Sequence, residues 1–190
     1  MTSEIRKSTV VWITGLSGAG KTTTANALNE KLKAEGIRSA VADSDVLRLD
    51  SNKPIGFDIE SRWKAVNNMI YAVRNMIEFQ GAEVVIVAMI SPLIEMRDLA
   101  RNILTKYSNA KFIEVFMDTP LEICEERDPK GLYKKYRDGF IKNMSGLDSP
   151  YEAPEFPEVR IHPRSTLFGE MTVDRAVNII QERINSKLLL

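Results

Sequence analysis

The chain has 190 residues, 44% of them hydrophobic, enough to bury a sizeable core in one domain. Its 26 basic residues balance 26 acidic ones, which argues against a nucleic-acid-binding surface and toward a small-molecule partner. Cys124 is the only cysteine, so no intrachain disulfide can form; with neither a signal peptide nor a membrane-length apolar run in view, the default is a cytoplasmic protein with no membrane partner.

The first predicted strand, Val10 to Thr14, is apolar and β-branched. It runs into Gly15-Leu16-Ser17-Gly18-Ala19-Gly20-Lys21-Thr22, which fits the phosphate-binding pattern G-x-x-x-x-G-K-S/T at every fixed position. A helix predicted over Lys21 to Glu35 follows, with Thr23 in its first turn. Strand, loop and helix are the setting this motif requires. The glycines let backbone N–H groups turn toward anionic phosphates and the helix N-terminus adds a favourable partial charge. Lys21 is placed to reach the β- and γ-phosphates of a nucleoside triphosphate, and the Thr22 hydroxyl to ligate Mg²⁺.

A second strand over Ser39 to Ala42 leads into Asp43 and Asp45. In a doubly wound sheet the carboxyl ends of strands converge on the ligand crevice, so these carboxylates face the triphosphate. The two can help hold Mg²⁺, directly or through water, and one of them can orient or deprotonate an attacking hydroxyl. Arg48, Phe57 and Arg62 come next. Arginine suits bidentate phosphate or sulfate contacts and an aromatic face suits stacking on a base, a composition that suggests a nucleotide acceptor.

A helix over Ile59 to Phe79, a strand over Val84 to Ala88, a helix over Leu93 to Tyr107 and a strand over Phe112 to Met117 continue the alternation. Gly36 and Gly81 stand just past two of these helices, where a left-handed closing residue is favoured. This order predicts an α/β fold, a doubly wound parallel sheet flanked by helices, which with the phosphate loop is of the P-loop NTPase/kinase type. From Asp128 the chain turns rich in Lys, Arg, Tyr, Gly and Pro, which reads as a mobile lid followed by an extended return. Thr172 to Lys187 regains helical period, with Val173, Ala176, Val177, Ile180 and Ile184 on one face. We take residues 1–190 as a single domain with a lid at about 127–157.

These residues resemble the adenylylsulfate (APS) kinase family over essentially the whole chain. The resemblance is carried by GLSGAGKT, by Ile90-Ser91-Pro92 after a strand, and by FIEVFMDTPLEICEERDPKGLYKKYRDGFIKNMSGLDSPYEAP, in which KGLYKK and GLDSPYEAP are the most specific pieces. It implies transfer of the γ-phosphoryl of ATP to the 3′-hydroxyl of adenosine 5′-phosphosulfate, with Mg²⁺, commonly in a homodimer. By motif, Asp45 matches the second aspartate of the family's Asp-Gly-Asp and Asp43 the first, near the metal. Arg48, Phe57 and Arg62 match acceptor-holding positions. Ser91 matches a serine described as a phosphoserine intermediate; because in-line transfer needs only positioning and charge neutralisation, a hydroxyl hydrogen-bonded to the acceptor is the simpler account. Ile90, Met144 and Leu147 complete the implied acceptor contacts. Arg127, Lys130, Lys134, Lys135 and Arg137 supply lid cations, with Lys130 the first choice for catalysis because KGLY is the motif's core, and Arg127 assigned to ATP.

The departures cluster on the acceptor side. Ser44 stands between the aspartates in place of glycine, Ala65-Val66-Asn67-Asn68 replaces the usual Asn-Ile/Val-Arg-Arg, and Met144 replaces an aromatic residue. A looser acceptor pocket is the expected result, since methionine still packs on a ring through its polarizable sulfur. Two alternatives follow: phosphorylation of the ribose of another nucleotide conjugate, such as a CDP-linked metabolite, or a nucleotide-binding subunit without catalysis.

Overall fold

The computed structural model describes residues 7–44, 56, 58–165 and 169–186. In chain order its elements are β1 (Thr9–Thr14), α1 (Lys21–Ala34), β2 (Ser39–Asp43), α2 (Ile59–Glu78), β3 (Val84–Ala88), α3 (Ile94–Tyr107), β4 (Lys111–Met117), α4 (Leu121–Arg127), α5 (Leu132–Arg137), β5 (Val159–Ile161), the short antiparallel pair β6 (Arg164–Ser165) and β7 (Gly169–Glu170), and α6 (Val173–Asn185). Strands β1 to β5 make one parallel sheet in the order β2-β3-β1-β4-β5.

Both β1 and β3 are buried at every position, as a continuous apolar run must be when helices cover both faces of a parallel sheet. Along β1, Val11 and Ile13 join Leu28 and Leu32 of α1 and Val177 and Ile180 of α6 in one core layer. Val10 and Trp12 join Val66, Met69 and Val73 of α2 and Met96, Ala100 and Leu104 of α3 in the other. The period-2 alternation of the strand thus assigns successive residues to opposite layers.

The helix ends follow from local chemistry. Gly36, at φ 79°, closes α1; its N–H donates to Lys33 O at 3.0 Å and that of Ile37 to Leu32 O at 3.0 Å, the two bonds of a left-handed glycine cap. Asp58 opens α2 by accepting from Ser61 N at 2.9 Å, and Thr172 opens α6 by accepting from Arg175 N at 3.2 Å.

Helices α4 and α5 and strand β5 are additions to the predicted elements. They hold 7, 6 and 3 residues, too few to display a period. The pairing of β5 with β4, Val115 opposite Val159 and Met117 opposite Ile161, is long-range in sequence. Among the described residues no helix is long and apolar enough to cross a membrane.

Candidate active site

A cleft of about 740 Å³ opens at the carboxyl ends of the strands, where the loop after β1, the end of β2, the turn after β3 and the end of β4 meet. This is the crevice expected of an open parallel sheet. The phosphate loop forms its floor. Gly15 and Gly18 have φ of 147° and 76°, and a Cβ on either would stand 2.8 Å from Met117 O or 2.7 Å from Cys124 O, so both the backbone conformation and the close approach require glycine. Helix α1 starts with neither a side-chain cap nor an acidic residue in its first turn. Its leading N–H groups and dipole are therefore available to an anion in the cleft. Lys21 Nζ bridges back to Leu16 O at 2.8 Å, spanning the loop.

Residues Ser17 to Thr24 line the cleft. Gly15 and Leu16 shape the loop from outside the cleft lining, Gly15 against β4 and Leu16 against the core cluster. Across from the loop, Thr22 Oγ1 donates to Asp43 Oδ2 at 2.7 Å, and Asp43 is buried at the end of β2. A hydroxyl and a carboxylate placed together are hard oxygen donors, a set that fits Mg²⁺ completed by phosphate oxygens and water. Ser44 lines the cleft next to them and is absent from the residues with positive φ, so serine costs nothing at the position where the family has glycine. Asp45, Arg48 and Phe57 lie outside the described residues.

The opposite wall carries the remaining acceptor-side candidates. Arg62, buried on α2, donates through its guanidinium to Ser145 Oγ and Asn143 O. Asp148 holds that loop from the other side, accepting from Asn143 N at 2.9 Å and Met144 N at 2.6 Å. Desolvation pushes its carboxyl up, but these backbone donors and nearby Arg62 outweigh it and keep it below the ordinary aspartate value. Arg62, Ile90, Ser91, Met144 and Ser145 all line the cleft, together with Ala65, Val66 and Met89. Leu147 is not in that lining; it packs on the core cluster under the phosphate loop.

The lid candidates divide. Arg127 and Lys130 line the cleft, and Arg127 Nη1 lies 3.4 Å from Gly18 O. Lys134 and Lys135 are exposed and outside the lining, and Arg137 pairs with Glu125 at 2.7 Å. The sequence reading overlooked Tyr133, which is buried and donates its hydroxyl to Ser17 O at 3.0 Å. Burial pushes its phenol well above the ordinary tyrosine value, so it stays a donor at any working pH. Asp128 orients this segment by accepting from Tyr133 N and Lys134 N at 3.1 and 3.0 Å.

Behind the turn at Ser91 lies a charged network that no motif signals. Arg97, only 2% exposed, donates to Glu114 at 2.6 Å, Ser91 O at 2.9 Å and Glu152 O at 2.8 Å. Arg101 makes a two-point contact with Glu158 at 2.7 and 2.8 Å, and Glu158 also accepts from Glu114 N at 2.7 Å. Desolvation pushes the Glu158 carboxyl up, but the Arg101 contact and the Glu114 N–H outweigh it and hold it below the ordinary glutamate value of 4.5. A carboxyl depressed by folding contributes stability that is fully present above its unfolded value and is lost as pH falls through the folded one. Glu158→Gln is therefore expected to flatten the acid side of the stability profile below about pH 4.5. Urea midpoints across the acid range check this, and an unchanged slope would remove Glu158 from acid unfolding.

Comparison with known proteins agrees with this geometry. The family profile for adenylylsulphate kinase matches residues 7–162. An adenylyl-sulfate kinase of Clostridium acetobutylicum is 45% identical over 177 residues, 93% of this chain and 85% of that one. A probable adenylyl-sulfate kinase of Bacillus subtilis is 41% identical over 177 residues, again 93% of this chain and 86% of the relative. Among solved structures, the Mycobacterium tuberculosis APS kinase CysC in complex with AMPPNP and APS superposes with a TM-score of 0.85 at 37% identity, covering 95% of this chain and 99% of that one. With the phosphate loop, the Asp43 carboxylate and the Arg62 wall in one cleft and this likeness running through nearly all of the chain, the protein belongs to the adenylylsulphate kinase family.

Proposed function

We propose that this chain transfers the γ-phosphoryl group of Mg-ATP to the 3′-hydroxyl of adenosine 5′-phosphosulfate, releasing ADP and 3′-phosphoadenosine 5′-phosphosulfate. The observation that carries this reading is the continuity of one cleft from the phosphate loop to the Arg62, Ser91 and Met144 wall, which gives donor and acceptor a shared space. The loop amides and Lys21 hold the triphosphate, and Thr22 and Asp43 would hold Mg²⁺, which offsets charge between the β- and γ-phosphates when bound. Arg62, Ser91 and Met144 line the acceptor side, where Arg62 offers charge to the phosphosulfate and Met144 a soft surface to the base. Asp45 orients the acceptor hydroxyl and takes its proton as the new P–O bond forms and the bond to the β-phosphate oxygen breaks. Arg127 and Lys130 approach the transferring group from the segment at about 127–157, the lid of a single kinase domain, and exclude water when it closes. A homodimer in the cytoplasm completes the reading, and sedimentation of the purified protein tests the assembly.

The replacement residues on the acceptor wall make acceptor choice the deciding test. ADP release is measured with Mg-ATP and adenosine 5′-phosphosulfate, or with a panel of other nucleotide conjugates at equal concentration. Adenosine 5′-phosphosulfate is expected to be turned over fastest, and Asp45→Asn to lower that turnover about a hundredfold at unchanged ATP affinity. Preference for another conjugate would re-assign the acceptor, and full activity of Asp45→Asn would take Asp45 out of the mechanism.

A further inference from the structure

Ser91 is held in an unusual way. Its φ of 38° lies in the left-handed region that non-glycine residues seldom adopt, and it is 1% exposed although it lines the cleft. Two contacts fix it: Trp12 Nε1 donates to Ser91 Oγ at 3.0 Å, and Arg97 Nη1 donates to Ser91 O at 2.9 Å. An indole N–H is only a donor, so Ser91 Oγ must act as the acceptor in this pair, and its own proton is left for another group. Among the described residues no protein acceptor takes that proton. Ser91 lines the cleft, so a group bound there is what can take that proton.

Packing alone does not call for an indole at position 12. Trp12 is completely buried between α2, α3 and the sheet, with its ring stacked on Phe112 at 5.9 Å between centroids. A phenyl ring would fill much of that volume. What only the indole adds is a polar edge aimed at Ser91.

We propose that Trp12 is a positioning residue for the phosphoryl acceptor: by occupying a lone pair of Ser91 Oγ it fixes the hydroxyl rotor so that the proton is presented to the cleft, as a donor to an oxygen or nitrogen of the acceptor. This rests on the reading of that wall as the acceptor side. The same contact disfavours Ser91 as a phosphoryl-accepting nucleophile, because the Trp12 donor draws on the Oγ lone pairs and, among the described residues, no carboxylate or imidazole is placed to take its proton. Arg97 serves the same end from the backbone side, holding the carbonyl of the left-handed residue against β4 through Glu114.

The test has a part that needs no substrate. The chain has two tryptophans, Trp12 and Trp63, so its indole N–H signals are assigned by Trp63→Phe. In Ser91→Ala the Trp12 signal is expected to move upfield as it loses its acceptor; an unmoved signal overturns the contact. The second part is a double-mutant cycle on whichever acceptor the unaltered enzyme turns over fastest. Trp12→Phe and Ser91→Ala are each expected to lower kcat/KM for the acceptor about tenfold, with the KM for ATP unchanged and the double variant no worse than either single one. Additive losses, or a parallel rise in the KM for ATP, would reduce Trp12 to a packing residue. Failure with adenosine 5′-phosphosulfate appears in the unaltered enzyme, whereas failure of the positioning role appears only in the cycle. Should Trp12→Phe not fold, the indole measurement on Ser91→Ala decides.

Discussion

Lys21→Ala is expected to lower turnover about a thousandfold, because it removes a full charge from the place where negative charge accumulates during transfer. The lysine leaves the first position of α1, and its Nζ already reaches the loop carbonyl of Leu16 at 2.8 Å, so it is held over the loop by local geometry. A cation so placed needs little reorganisation to meet a γ-phosphate, which is the condition under which electrostatic stabilisation counts most. The free protein loses the part-buried hydrogen bond to Leu16 O, and its melting temperature without nucleotide is expected to change far less than its turnover. Nucleotide binding stabilises the native state by mass action, so the rise in melting temperature on adding Mg-ATP is expected to shrink with the lost affinity. ADP release and melting curves with and without Mg-ATP check both halves. Turnover within tenfold of the unaltered protein would show that the loop amides alone hold the transferring group.

Why Lys21 was legible from spacing, while the arrangement that holds the acceptor wall was not, comes down to range. The phosphate loop is a local structure: three glycines at positive φ, one lysine and one helix start lie within eight residues, so spacing alone specifies the chemistry. The central strands were equally legible, since burial on both faces demands the unbroken apolar runs of β1 and β3. Strand β5 was not, because its three residues become a strand only by adding to the edge of β4. Arg62 read as a nucleotide-facing cation, and the structure adds that its direction is set by a loop some 80 residues away, through Ser145 and Asn143. Leu147 is implied as an acceptor contact by motif alone; it lies outside the cleft lining and packs, partly buried, against the core cluster. Arg97 and Glu114 stand 17 residues apart and carry no motif; only the fold shows both buried and paired. Trp12 stands in the buried run of β1, yet its polar edge finds a partner 79 residues on, which no window along the chain could reveal.

That buried pair sets the second large effect. Arg97→Met is expected to destabilise the fold by about 3–5 kcal/mol, the usual consequence of stripping one partner from a buried ion pair. Glu114 would be left with Arg101 at 3.6 Å in place of the 2.6 Å contact to Arg97, and Ser91 O and Glu152 O would lose a donor together. Glu152 matters because its N–H also donates to Pro92 O and its carboxylate accepts from Ile94 N, each at 2.8 Å. Arg97 thus fastens the stretch around Glu152 to the turn that carries Ser91. Replacing the pair as a whole separates stability from function. In Arg97→Met with Glu114→Leu no buried charge is abandoned, so urea unfolding is expected to recover most of the lost stability. The two carbonyls remain without their donor, so the turn stays unfastened and kcat/KM for the acceptor stays low. Recovery of stability and acceptor use together would mean that Arg97 only pays for the charge of Glu114, and that the turn at Ser91 holds its shape without it.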